Sequence, residues 1–363
     1  MNQTCVDDLA RALLYEGYIL YPYRPSVKNQ QRWTFGGIYP PSWSAAQEGT
    51  DPRLMQTQCL LTGDGAAVRV VVRFLHLVDR TVGRLTAPLT ELPRGTEPEY
   101  KLVDRLEVGG QILQPWQEAV EREIDLGRVV LGDLLSDPAE KRFTFPAWRS
   151  LEPVREKPES EDAAPIVGLL IRRQDAVEGT IELAAVAFAG DLWRLTVRIS
   201  NCTPLPDAGA QPRDAALMRT FVSTHTILSA DPGDFISLTD PPAAQKAHAT
   251  ECFNIGAWPV LAGEPSKAQT LLSSPIILQD YPRLAPESPG DLFDSTEIDE
   301  ILTLRILTLT DEEKRAAAGT DSRVRELLAR THGLARQQLI GMHGRSRGLK
   351  RESPAPQPER GAA

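Results

Sequence analysis

The chain has 363 residues, 41% hydrophobic and 25% charged, the make-up of a globular protein long enough for two domains. Its formal net charge of −9 argues against non-specific nucleic-acid binding. It contains no run of 18 apolar residues, so membrane insertion is not expected.

In chain order, the opening stretch MNQTCVDDLARALL carries acids where an export signal would carry bases, which predicts a cytoplasmic protein. The cysteines, Cys5, Cys59, Cys202 and Cys252, form no C-x-x-C pair, and reduced thiols are expected. Residues 6–16 predict a short helix, with Asp7 and Asp8 in the first turn, Leu9, Leu13 and Leu14 on one side, and Gly17 as a stop. Then Tyr15, Tyr18, Tyr21, Tyr23, Trp33, Phe35, Tyr39 and Trp43 fall close together. Pro22, Pro25, Pro40 and Pro41 forbid a long helix there, and Arg24, Lys28 and Arg32 lie between the rings. Two readings stay open. The segment is the core of a small β-rich unit, or it is a recognition surface in which Tyr21, Tyr23, Arg24, Arg32, Trp33 and Phe35 meet a partner by stacking and cation–π contacts.

Strands follow at 55–61, 68–78 and 100–108. In the second, Val68, Val70, Val72, Phe74 and His76 alternate with Arg69 and Arg73, and His76 reads as a hydrogen-bonded core residue. Pro115-Trp116 predicts a helix start, since proline fits a first turn. Residues 129–135 suit helix or strand, and 142–145 a closing strand. Residues 150–165, SLEPVREKPESEDAAP, predict an exposed linker.

Beyond it, strands are expected at 166–171, 180–188, 192–200, 217–228, 235–238, 254–261 and 276–281. Ala189-Gly190-Asp191 joins two of them as a hairpin, and residues 241–251 form a short helix. Residues 288–309 carry caps at Asp294, Ser295 and Thr296 and an apolar face that includes Ile298, Ile301 and Leu302, interrupted by Arg305. That face docks on its own domain, or it is offered to a partner's groove. Thr310-Asp311-Glu312-Glu313 reads as a capping box that starts the next helix. A longer helix over 321–342 precedes a basic, Pro-rich tail.

The expected architecture is therefore α+β and β-rich, in two domains. Residues 1–149 form an aromatic-rich α+β domain with antiparallel strands, and 150–165 a linker. Residues 166–343 form an antiparallel β-sandwich-like domain closed by helices, and 344–363 a disordered tail.

No phosphate-binding loop, dinucleotide fingerprint, nucleophile elbow or H-E-x-x-H motif occurs, and no catalytic residue, cofactor or metal is assigned. His248 and Cys252, four apart, are weak metal candidates with His225 or Cys202, although a buried cysteine and an ordinary histidine explain them as well. Ser223, His225 and Asp231 or Asp234 have triad residue types but no evident oxyanion hole.

Three segments together carry a resemblance: YEGYILYPYRPSVKNQQRWTFGG, STHTILSADPGDFISLTDPP and SPIILQDYPRLAPESPGDLFDSTEIDEILTLRILTLTDEEKR. They resemble an uncharacterised bacterial family encoded in [NiFe] hydrogenase gene clusters, over residues 15–315. The resemblance implies a setting and no catalytic residues. The expectation is a non-enzymatic accessory protein whose partner is a hydrogenase subunit or maturation factor. The alternatives are an enzyme with a site between the domains and a sandwich that binds a small ligand or carbohydrate.

Overall fold

The computed structural model describes residues 2–15, 36–156, 164–282, 306–319, 325, 326, 328, 329 and 331. Over these the protein is β-rich, with antiparallel sheets and a few short helices. The strands are β1 (Leu54–Thr62), β2 (Ala67–Leu89), β3 (Tyr100–Leu102), β4 (Leu106–Val108), β5 (Gln111–Leu113), β6 (Trp116–Val130), β7 (Ala139–Phe145) and β8 (Trp148–Arg155). They continue with β9 (Ile166–Gln174), β10 (Val177–Phe188), β11 (Leu192–Asn201), β12 (Val222–Ala230), β13 (Asp234–Ile236), β14 (Trp258–Leu261) and β15 (Thr270–Ser274). The helices are α1 (Asn2–Leu14), α2 (Pro41–Ala46), α3 (Arg213–Leu217), α4 (Lys246–Thr250) and α5 (Asp311–Ala318).

One sheet runs β13-β1-β11-β10-β7, and a larger one runs β14-β15-β12-β2-β9-β8 with β3 and β6 also on β2. Strand β2 is the spine of the larger sheet. Strand β6 pairs with residues 67–80 along one of its edges, so β12 and β9 share the other, β12 near the start and β9 near the end. The largest buried cluster draws on both sheets: Cys59 and Leu61, Val68 to Phe74 at alternate positions, Ile181 and Leu183, Leu195 and Val197, and Leu228. Phe74 lies 4.8 Å from Phe221, ring centre to ring centre, and Phe143 lies 5.3 Å from Phe221. Gly179 belongs to this packing, since a Cβ there would stand 2.6 Å from the Ser200 carbonyl and 2.8 Å from both Phe143 and Phe221.

The other face of β2 is also covered. Val71 packs with Ile227 and Leu272 beneath Val6, Leu9, Ala10 and Leu13 of α1. Leu75 and Leu77 pack with Tyr15, Tyr39, Trp43 and Ile306. A strand buried on both faces cannot show simple alternation, so residues 70–72 read as the continuous run Val-Val-Val.

Several expectations give way. Residues 116–130 are strand β6 and not a helix: the acids of this stretch meet arginines of β2, with Arg73 to Glu123 at 2.7 Å and Arg69 to Asp125 at 2.5 Å. Tertiary pairing overrides the local helix-start signal there. The expected strand at 100–108 is two short ones, β3 and β4. Residues 213–217 form α3 before β12 begins at Val222, and the last strand among the described residues is Thr270–Ser274, ahead of the expected 276–281.

The expected boundary at 150–165 does not divide the sheets. Residues 148–155 are β8, paired with β9. Strand β1 pairs with β11 and β13, and β2 pairs with β9 and β12, so both sheets mix strands from either side of that stretch. The Glu/Pro content misled because an edge strand exposed on both faces needs few apolar residues and tolerates proline. By contrast, the hairpin at 189–191 and the strands at 166–171, 180–188 and 192–200 lie where the alternation puts them.

Candidate functional site

The partner-binding candidates Tyr21, Tyr23, Arg24, Arg32, Trp33, Phe35, Ile298, Ile301, Leu302 and Arg305 lie outside the described residues. Their flanks are described, and they are structural. Tyr15, Tyr39 and Trp43 are buried. Arg213 donates to the Tyr39 hydroxyl at 2.5 Å and to Asp51 at 2.8 Å, and the Trp43 indole donates to Asp51 at 2.9 Å. Burial, above all, pushes the Tyr39 hydroxyl up to about 12. Tyr39 and Trp43, described rings at this end, are thus satisfied internally, while Arg24, Lys28 and Arg32 lie outside the described residues. The capping box is present: Glu313 N–H donates to the Thr310 hydroxyl at 3.2 Å, and Thr310 N–H donates to the Glu313 carboxylate at 2.9 Å.

Helix α4 carries the weak metal candidates. The Cys252 thiol donates to the His248 carbonyl at 3.5 Å, and the His248 ring packs on Phe188 at 4.3 Å. Burial raises the Cys252 thiol to about 11. Among the described residues no three His, Cys, Asp or Glu side chains gather as a metal site.

The serine-histidine pair is arranged for structure rather than nucleophilic attack. Strand β12 bulges between Val222 and His225, and Ser223 takes a left-handed φ of 51°. His225 Nδ1 lies 2.7 Å from the Ser223 carbonyl, not its hydroxyl. Ser223 Oγ and His225 Nε2 are buried with no partner among the described residues. Burial lowers the His225 imidazole to about 4, so the ring is neutral near pH 7.

The richest polar arrangement is a cleft of about 740 Å³ bounded by β5, β6, β8, β9 and α5. Arg80 of β2 is 4% exposed. It donates to Glu118 of β6 at 2.9 Å, to the Gln114 carbonyl at 3.0 Å and to the Gly319 carbonyl at 3.1 Å, just past α5. A cation at the last carbonyls of a helix is well placed against its dipole. Arg172 of β9 donates to both oxygens of Glu118, at 2.6 and 3.3 Å, and also to Glu152 of β8. Burial works against the Arg172 charge, but its bonds to Glu118 and Glu152 outweigh it and hold its pKa above the usual value. Four strands and a helix end thus meet in one charged relay.

These residues escaped the sequence reading. The available signal was an arginine continuing the apolar run VVVRFLHLVDR, because a charge in a buried strand needs a fixed partner.

A second surface feature lies where the chain passes from the smaller sheet to the larger. Phe253 hangs on β1: its N–H donates to Gln58 at 2.8 Å, and its carbonyl accepts from Gln56 at 2.9 Å. Ile255 bridges to Gln56, and Trp258 then opens β14, paired with Ser274 of β15. Phe253 is 64% exposed, Trp258 43%, and Ile277, three residues past Ser274, 74%.

No model of a known protein family matches the chain, and no curated protein matches it. No described helix is long and apolar enough to cross a membrane.

Proposed function

We propose that this chain is a non-enzymatic accessory protein that works by binding another protein. The setting is the one its resemblance implies, the assembly or maturation of a [NiFe] hydrogenase in the cytoplasm. The finer architecture in this proposal is a β-sandwich whose two sheets share one core, with binding done at its margin. The observation that carries the proposal is the exposure of Phe253, Trp258 and Ile277 around the crossing from sheet to sheet. Large aromatic and aliphatic side chains left in water at one margin are what a protein partner buries. Gln58 and Asn254 lie beside them as half-buried polar groups already fixed by hydrogen bonds, and the buried Gln56 anchors the Phe253 carbonyl. Cys59, Cys202 and Cys252 are free thiols, in keeping with a reducing compartment.

The experiment is affinity purification of the tagged chain from its native strain. Co-recovery of a hydrogenase subunit or maturation factor is expected, and it should be lost in a Phe253→Ser/Trp258→Ser variant of unchanged melting temperature. Recovery of the wild-type chain free of both kinds of partner would count decisively against this function.

A further inference from the structure

The cleft beside α5 has a charge pattern that the protein-binding surface does not use. Arg80 and Arg172 are matched by Glu118 and Glu152 in the relay described above. Two further arginines, Arg315 and Arg325, line the same cleft and are exposed. Neither forms an ion pair among the described residues, and Arg315 reaches only the Asp311 carbonyl of its own helix, at 3.4 Å. Against these two cations the described lining holds one more acid, Glu121. In a chain of net charge −9, the described lining of this cleft therefore carries four arginines against three glutamates, a local excess of one positive charge. Low-dielectric walls focus such a field and draw in anions.

The walls also define the rest of the ligand. Leu113, Leu170, Ala119 and Ala318 give apolar surface beside the arginines. A volume of about 740 Å³ lies within the range of small-molecule pockets and is far larger than an inorganic ion needs. Guanidinium groups offer planar forks that match carboxylate and phosphate oxygens.

We propose that this cleft binds a small organic oxyanion, a carboxylate or phosphate on a carbon skeleton, with Arg315 and Arg325 holding the anionic group. The Arg80–Glu118–Arg172–Glu152 relay forms the rigid wall on which the skeleton lies. Arg80 ties that wall to Gly319 and so fixes the end of the helix that presents Arg315. Binding here is independent of Phe253 and Trp258, which lie at the other surface feature.

The test is thermal unfolding of the full chain with citrate, glycerol 3-phosphate or inorganic phosphate, at ionic strength matched with sodium chloride. In the wild type, citrate or glycerol 3-phosphate should raise the melting temperature by about 2 °C or more, and inorganic phosphate by less. Citrate alone acting marks a carboxylate ligand, and glycerol 3-phosphate alone a phosphate ester. The shift should vanish in Arg315→Gln/Arg325→Gln and persist in Arg142→Gln, which alters an exposed arginine of β7. It should also persist in Phe253→Ser/Trp258→Ser, so failure of the partner proposal leaves this one standing. An equal shift in the Arg315→Gln/Arg325→Gln protein, or no shift with either organic anion, overturns the site.

Discussion

Along the first part of β2 the buried side chains are Val68, Val70, Val72 and Phe74 on one face and Val71, Leu75 and Leu77 on the other, all closed by apolar neighbours. Further along the same strand Arg80 is buried as well, held by Glu118 and two carbonyls, before Val82 and Leu85 enter two smaller apolar clusters. His76 lies between, with Nε2 2.9 Å from the Asp175 carbonyl and Nδ1 without a partner among the described residues. One backbone thus carries stretches held by close packing and, set among them, a point held by directed polar contacts. Packing is non-directional and tolerates any shape that fills space, whereas a buried guanidinium demands specific acceptors at specific points. The packed stretches make the protein stable, and the polar point fixes the positions of β6, β9 and α5 around the cleft.

The sharpest way to break this contrast is Phe74→Ala. Phe74 is fully buried against Phe143, Phe145 and Phe221, so truncation should cost about 3–5 kcal/mol in urea unfolding. A loss under about 1 kcal/mol would mean that the shared core is not what holds the sheets together.

Acid probes the junction. Burial, reinforced by nearby Arg122, lowers His76 to about 4, and burial lowers His225 to about 4. In the unfolded chain both rings take a proton near pH 6.5. Between those values the unfolded state binds more protons, so stability is full above pH 6.5 and falls as pH drops toward 4. Each histidine should remove on the order of 3 kcal/mol over that window. His76→Gln should flatten part of the slope in denaturant midpoints measured from pH 8 to pH 4.5. An unchanged slope would place the acid sensitivity elsewhere.

The smallest expected effect tests the polar region. Arg80→Met should cost about 2 kcal/mol, below the figure for a fully buried pair because Glu118 is partly exposed and keeps Arg172. Combined with Glu118→Gln in a double-mutant cycle, the two changes should show a coupling of about 1 kcal/mol. Strict additivity would show that the relay is a set of separate contacts.

Much of the β content was legible because one strand's local pattern is enough to declare it. Trp193, Leu195, Val197 and Ile199 alternate with polar residues, and β11 lies there, joined to β10 through Gly190. The capping box at Thr310 and Glu313 was equally legible, since both partners sit within four residues. Strand β6 was not, because its identity depends on Arg69 and Arg73, some fifty positions away in sequence. The relay at Arg80 draws on residues from 80 to 319, a separation across which no local pattern operates.

The amino-acid order by itself settled a β-rich protein with antiparallel hairpins, few helices and no obvious catalytic motif. Alternation, turns and caps are short-range properties and are written where they act. Which strands became neighbours, that 148–155 is an edge strand rather than a linker, and where Arg80 and Arg172 meet were decided only in three dimensions. Those outcomes depend on strand register and on the partners a buried charge must find, and both are set by the whole chain at once.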